Sequence, residues 1–442
     1  MSIAEALLAA IREAPEDDLP RLAYADWLEE NGDPQRAEFI HVQIERANLP
    51  DGDERDAGLA GRERDLLRAG RGQWLRGLPE IGGIEWGEFS RGFVGSVRAE
   101  SVDAFEKAEA AIRATIPLSG LCVNVKPHER KLARHSFAGL SELTLAGVLA
   151  DDVFKSLFVR SPQLDNLRKL TLGDLPLTPL GAAALVASPH LTRLRELALW
   201  DGSPAVLRAV TDSPLLGRLV RLKLSGKWER PEVARTLASW RPGSLRRLTL
   251  SSCRLGTQSQ PGTDSGAVLA SAPLLAGLRV LEVIDGSIGP EGAAALAASD
   301  QLAGLAVLSL NDNPRLNDGG IQALAHKPRF RPHELRLGHV RMGPSGLSAL
   351  LASPLMPTLR SLSLERNPLS DVGAARLAGC PAVAGLAHLD LSYTGLTDAA
   401  ARKLARSPHL GGLRELRLES NACIGETARQ ELRERFGDAL RI

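Results

Sequence analysis

From Leu140 onward the chain repeats one spacing of leucines. The frame L-x-x-L-x-L stands at Leu140-Leu143-Leu145, Leu167-Leu170-Leu172, Leu194-Leu197-Leu199, Leu219-Leu222-Leu224 and Leu245-Leu248-Leu250. It returns at Leu278-Leu281-Val283 and Leu305-Leu308-Leu310, then at Leu335-Leu337, where Pro332 replaces the first leucine. Leu359-Leu362-Leu364, Leu386-Leu389-Leu391 and Leu413-Leu416-Leu418 complete eleven copies. The middle leucines step by 27, 27, 25, 26, 33 and then 27 five times. The long step holds the insert GTQSQPGT, Gly256 to Thr263. Alternation within each frame predicts a short strand with leucines on one side and polar residues on the other. An alanine-rich helix is expected after each strand. Thr178-Pro179, Asn317-Asp318, Ser370-Asp371 and Thr397-Asp398 supply helix starts. Ser161-Pro162, Ser188-Pro189, Ser213-Pro214, Ser353-Pro354 and Ser407-Pro408 supply ends, because proline cannot continue a helix. This reading takes the Ser-Pro pairs as helix stops rather than modification sites.

A fixed period of this size with this frame marks a leucine-rich-repeat solenoid. The fold class expected is α/β, right-handed, from about residue 93. The segment GETARQELRERFGDALRI, Gly425–Ile442, is expected as a charged helical cap. The period and the alanine-rich helices resemble the ribonuclease-inhibitor class of these repeats. That resemblance implies a horseshoe with parallel strands on the concave face and helices on the convex face. The class places Asn or Cys three positions after the last frame leucine. Asn313, Asn367, Asn421 and Cys253 comply, whereas Val148, Leu175, Gly202, Val340 and Thr394 do not. The hydrogen-bond ladder is therefore expected to be broken, and Cys253 to be structural rather than nucleophilic.

The N-terminal region changes period. Ser2-Ile3-Ala4-Glu5 forms a capping box, with Ile3, Leu7, Leu8 and Ile11 on one helical face. Pro20 opens a second helix bearing Leu22, Ala23 and Trp27, and Gly32 ends it. Asp33 and Pro34 start a third helix, carrying Ile40, Ile44 and Ala47. Leu7, Ile11, Leu22, Trp27, Ile40 and Ile44 are the expected core of this small all-α domain. Glu29 and Glu30 point about 100° apart on a helix and are read as a solvated face. The run EDDLPRLAYADWLEENGDPQRAEFIHVQIE, Glu16 to Glu45, resembles the repeat-companion domain, a bacterial module that accompanies repeats. The resemblance implies no activity and no catalytic residues. The expected organisation is 1–47 helical domain, 48–92 linker, helix and N-terminal cap, and 93–442 solenoid. Within the middle part, 48–60 reads as linker, Arg62–Leu78 as a helix, and the glycine-rich Ile81–Val97 as a cover for the first edge.

Composition is that of ordinary globular material: 44% hydrophobic, 24% charged and 4% aromatic residues. The net charge of +1 conceals an asymmetry. Residues 1–47 have four arginines against eleven carboxylates, or −7; residues 48–100 carry −2, and residues 101–442 carry +10. A head this acidic opposes the phosphate neutralisation that DNA reading requires. RNA binding by the basic body is a weaker option, because stacking platforms require more aromatics. No membrane span or secretory signal is expected. The four cysteines form no C-x-x-C pair and suit free thiols in a reducing cytoplasm. No phosphate-loop, G-x-S-x-G or H-E-x-x-H motif occurs. His333 and His339 flank a strand rather than matching a ligand spacing. No catalytic residue, metal site or cofactor is therefore expected, and the protein is read as a non-enzymatic monomer.

What remains is binding of a protein partner on the concave face. Arg221 and Lys223 flank Leu222, and Arg247 stands at the Arg221 position one strand on, about 4.8 Å away. Adjacent like charges cost stability unless something offsets them. Glu196 is the in-sequence candidate for that offset, and the acidic head is an internal alternative. Trp200 lies at the edge of the neighbouring strand. Trp200, Arg221, Lys223 and Arg247 are the candidate protein-binding residues, fitted to an acidic surface. Glu365, Asp390, Glu415 and Glu419 give the last strands the opposite sign. The alternative function is regulation of an enzyme, such as a GTPase activator or inhibitor.

Overall fold

The computed structural model describes residues 2–132, 137–175, 177–200, 203–226, 228, 236–237, 239, 243–253 and 264–442. Gly202 and the insert Gly256–Thr263 lie outside them. The chain forms two compact units, Met1–Pro50 with Leu59–Leu219, and Asp51–Gly58 with Val220–Ile442.

The first unit opens on helices Ile3–Glu13, Leu19–Glu30 and Pro34–Asn48. The capping box forms: Ser2 Oγ accepts from the Glu5 amide at 3.2 Å, and Glu5 accepts from the Ser2 amide at 2.7 Å. Burial rises along this helix, from Ile3 at 71% exposure through half-buried Leu7 and Leu8 to fully enclosed Ile11. Ile3 therefore contributes nothing to the core. Ile11, Ala25, Leu28, Ala37, Ile40 and Ile44 form that core together with Phe93, and Leu22, Tyr24 and Trp27 pack half-buried around it. Ala25 and Leu28, not Trp27, are the buried apolar residues of the second helix. Glu29 and Glu30 are exposed.

The helix expected at Arg62–Leu78 runs Asp56–Leu75, so its first turn lies inside the stretch read as linker. The glycine-rich segment supplies more than an edge. Its strands Phe89–Ser90 and Phe93–Val94 pair antiparallel, and their aromatic rings join the head. Phe39 stacks on Trp74 at 4.6 Å and meets Phe89 edge-on at 5.4 Å. The Arg36 guanidinium lies 4.5 Å from the Trp74 ring centre, and its burial pushes the pKa down to about 10.

Two parallel strands precede the first leucine frame. Ser96–Ala99 and Gly120–Val125 place Val97 beside Leu121, and Leu121 beside Leu143. They extend the frame as V-x-x-V-x-A and L-x-x-L-x-V, the first without leucine and the second 22 residues before Leu143, off the 27-residue period. The register continues through Leu170 to Leu197. In the second unit it runs from Leu222 through Leu248, Leu281, Leu308, Leu335, Leu362 and Leu389 to Leu416. Each frame leucine is buried, worth about 1.5–3 kcal/mol relative to exposure. The expected helical cap is a helix, Glu426–Phe436, followed by a strand, Leu440–Arg441, whose Leu440 pairs with Leu416. Gly437, at φ 51° and ψ −127°, takes a backbone conformation open to glycine that ends the helix and lets the chain turn back. Each unit is thus an α/β leucine-rich-repeat solenoid, preceded in the first by the helical head.

Polar ladders tie neighbouring repeats. Asn313 donates to the Val283 carbonyl and accepts from the amides of Gly286 and Ile288. Asn367 and Asn421 repeat this arrangement. Where the asparagine is missing, the Cys253 thiol still donates back to Leu224 O of the preceding repeat at 3.2 Å, whereas the Thr394 hydroxyl donates within its own repeat, to Leu391 O at 2.5 Å. Cys253 is fully buried, in keeping with a structural role. A second ladder lies at the helix starts. Asp264, Asp318, Asp371 and Asp398 accept from the amides of Gly289, Gly343, Thr397 and Gly425 in the following repeat. Ser188 and Ser407, buried beside their prolines, donate back to Phe158 and Ala378 carbonyls of the preceding repeat.

Candidate functional site

In the strands Arg221–Ser225 and Arg247–Ser251, Leu222, Leu224, Leu248 and Leu250 enter the core. Alternation turns Arg221, Lys223 and Arg247 to the opposite face, with Lys223 exposed. Register sets Arg221 directly beside Arg247. One charge that offsets them lies in the same unit, in the stretch that follows residue 50. It is Asp51, whose carboxylate accepts from Nε of both arginines at 3.0 Å. The Asp51 side chain is only 4% exposed, while those of Arg221 and Arg247 are 40% and 33% exposed. Trp200 closes the strand Glu196–Trp200 of the first unit, with its indole 44% exposed.

Asp51 begins a segment that crosses this face. Gly52 has φ 76°, and a Cβ on it would lie 2.8 Å from the Ala306 Cβ. Its carbonyl oxygen is 2.8 Å from His333 Nε2. Asp53 is closed by Arg55, whose amide and Nε both donate at 3.0 Å; these bonds hold the Asp53 carboxyl below the usual carboxylate range. Gly58 lies against the His388 imidazole. Below Gly52 sits an apolar island of Val280, Ala306 and Val307, all buried. Val280 and Val307 occupy inter-leucine positions that elsewhere hold Arg, Lys, Glu, His or Ser, so their apolar character was a readable sign that something covers them.

Farther along, the expected acidic end is a mixed network. Glu415 accepts from Arg417 at 2.7 Å, with His388 3.6 Å away. Arg336 bridges Glu334 and Glu282 at 2.6 and 3.1 Å. His333 and His339 flank the strand Glu334–Arg336, and His339 meets Asp312 at 2.9 Å. Just past the strands, Ser252, Asp285, Asp312, His339, Arg366, Tyr393 and Ser420 each have positive φ, forming a row of one residue per repeat. Within it Arg366 lies 5.1 Å from the Tyr393 ring centre. Among the described residues, no cluster of His, Cys, Asp and Glu is placed to hold a metal ion, and no helix is long and apolar enough to cross a membrane.

A leucine rich repeat family model matches residues 356–378. No curated protein matches the chain in sequence. Similar solved structures include a chain of the yeast Rad7 and Elc1 complex, 13% identical over all of this chain and 97% of that one, with TM-score 0.47. Another is a chain of the Drosophila Toll–Spatzle complex, 14% identical over 73% of this chain and 49% of that one, with TM-score 0.35. A Bacteroides fragilis protein is 17% identical over 57% of this chain and 67% of its own, with TM-score 0.34. The matched segment 356–378 is one turn of the array whose strands and ladders are described above, and that geometry is the leucine-rich-repeat fold.

Proposed function

We propose that the protein is a non-enzymatic interaction scaffold that binds a protein partner on the sheet face opposite the leucine core. The observation that supports this is the Arg221–Arg247 pair with a carboxylate seated between its guanidinium groups. Arginine pairs recognise carboxylates through fixed, directional donors, and a long regular sheet face suits an extended protein surface. Lys223 adds a further positive charge on the same face. Trp200, on the first unit, is a separate exposed anchor in this reading. Residues 1–47 serve as a repeat-companion module of bacterial type, and four cysteines that form no disulfide suit a reducing cytoplasm.

The test is affinity capture from the native host with wild-type protein and the Arg221→Glu/Arg247→Glu double variant. Both side chains point away from the leucine core, so the fold should persist by circular dichroism. Charge reversal should remove the partner through lost attraction and new repulsion. A partner retained at wild-type affinity would reduce this surface to a solvated face.

A further inference from the structure

Residues Asp51–Gly58 lie where a ligand of this face would lie. They place a carboxylate in the arginine fork, a glycine over the apolar island and a carbonyl against His333. The segment is otherwise held at Gly58, which lies against His388, and at Asp56, where the helix Asp56–Leu75 begins. Its sequence, DGDERDAG, has no large apolar side chain to bury, and Glu54 and Arg55 are exposed. The arginines it pairs with are themselves one-third or more exposed, while the Asp51 carboxylate between them is 4% exposed. The face beneath is better built than its occupant. It combines a two-arginine fork with three adjacent apolar side chains, the pairing of charge and apolar anchor that concentrates binding energy.

We infer that Asp51–Gly58 is an internal stand-in for the partner, and that the partner presents an extended acidic segment whose aspartate replaces Asp51 between Arg221 and Arg247. This rests on the protein-binding reading of the same face and adds what the partner must carry and what it must displace. Glycine at the next position fits for a stated reason: Gly52 is left-handed, and any Cβ there meets Ala306. The tether keeps the internal segment at an effective concentration on the order of millimolar, so free ligands compete poorly until it is released.

The probe is the fluorescein-labelled peptide DGDERDAG, titrated into full-length protein and followed by anisotropy. Asp51→Lys should lift the internal segment by repulsion from Arg221 and Arg247. This variant is expected to bind the peptide at least tenfold tighter than wild type. The control peptide NGDERDAG should bind at least tenfold more weakly, and adding Arg221→Glu and Arg247→Glu to Asp51→Lys should abolish binding. If Asp51→Lys fails to fold by circular dichroism, Asp51→Asn, which removes only the charge, takes its place with the same expectations. Equal peptide affinity in wild type and variant overturns the inference. So does binding that ignores the aspartate or survives reversal of the arginines. Dimerisation of the variant by sedimentation would assign the face to a second copy and also overturn it. Failure here leaves the broader reading intact if Arg221→Glu/Arg247→Glu still loses the captured partner; that reading falls only if capture survives the reversal.

Discussion

Burial pushes the carboxyl of Glu365 above the usual carboxylate range, and the neighbouring Asp390 pushes it the same way. The folded chain therefore holds this proton more tightly than the unfolded chain. Between the ordinary glutamate pKa and the raised value, folded protein binds more protons, so stability falls as pH rises through that window. The penalty is fully present above the window and absent below it. Glu365→Gln should accordingly raise the melting temperature at pH 7 and give no gain below about pH 4, where the native side chain is already protonated. Melting curves across that range check this; equal melting temperatures at pH 7 would contradict it. The acidic character of this end was legible in sequence as Glu365, Asp390, Glu415 and Glu419. Their separate fates were not, because Arg417 accompanies Glu415 while Glu365 faces Asp390. Asp51 was hidden more deeply. It pairs with arginines 170 and 196 residues away, and no periodicity links a linker carboxylate to a strand position.

At the level of elements, legibility followed the strength of the local signal. Strands with intact leucine frames were readable, whereas Ser96–Ala99 was not, because valine and alanine replace its leucines, and Gly120–Val125 was not, because its Leu121 stands only 22 residues before Leu143, off the period. Residues 56–61 read as linker from their polar, glycine-containing sequence, yet they begin a helix that Asp56 opens with a favourable negative charge. Helix-to-helix spacing was invisible. In the second unit, helices Ser265–Ala270 and Pro290–Ala298 come into close contact at Gly266 and Gly292. A Cβ on Gly266 would lie 2.8 Å from Gly292 backbone atoms, which cannot move aside as a flexible side chain can. Gly266→Ala is therefore expected to cost about 1–3 kcal/mol through overpacking, despite alanine's better helix propensity. Gly304→Ala, with open space around its Cβ, is the control and should change stability by less than about 0.5 kcal/mol. Urea denaturation of the two variants measures the difference, and equal midpoints would show that the helices can separate freely.

Across the molecule, the period was legible because one short frame recurs every 27 residues with few interruptions. The occupant of the sheet face was not, because it lies outside the repeated pattern. A repeat array has its own thermodynamics: each repeat touches its neighbours, and stability is close to a sum of repeat and interface terms. The asparagine ladder lets this be tested within the second unit. Asn421 holds the amides of Thr394 and Leu396, while Asn313 holds those of Gly286 and Ile288 several repeats earlier. Asn421→Ala strips two buried amides and the Leu391 carbonyl of a partner, at a local cost of roughly 3 kcal/mol. Opening around Thr394 and Leu396 should become about a hundredfold more frequent, because each 1.4 kcal/mol is tenfold. Gly286 and Ile288 should keep their wild-type hydrogen exchange, since no shared interface reaches them. Asn313→Ala should reverse the pattern. A uniform rise at all four amides in either variant would mean that the unit opens as one cooperative block, and that nearest-neighbour coupling does not describe it.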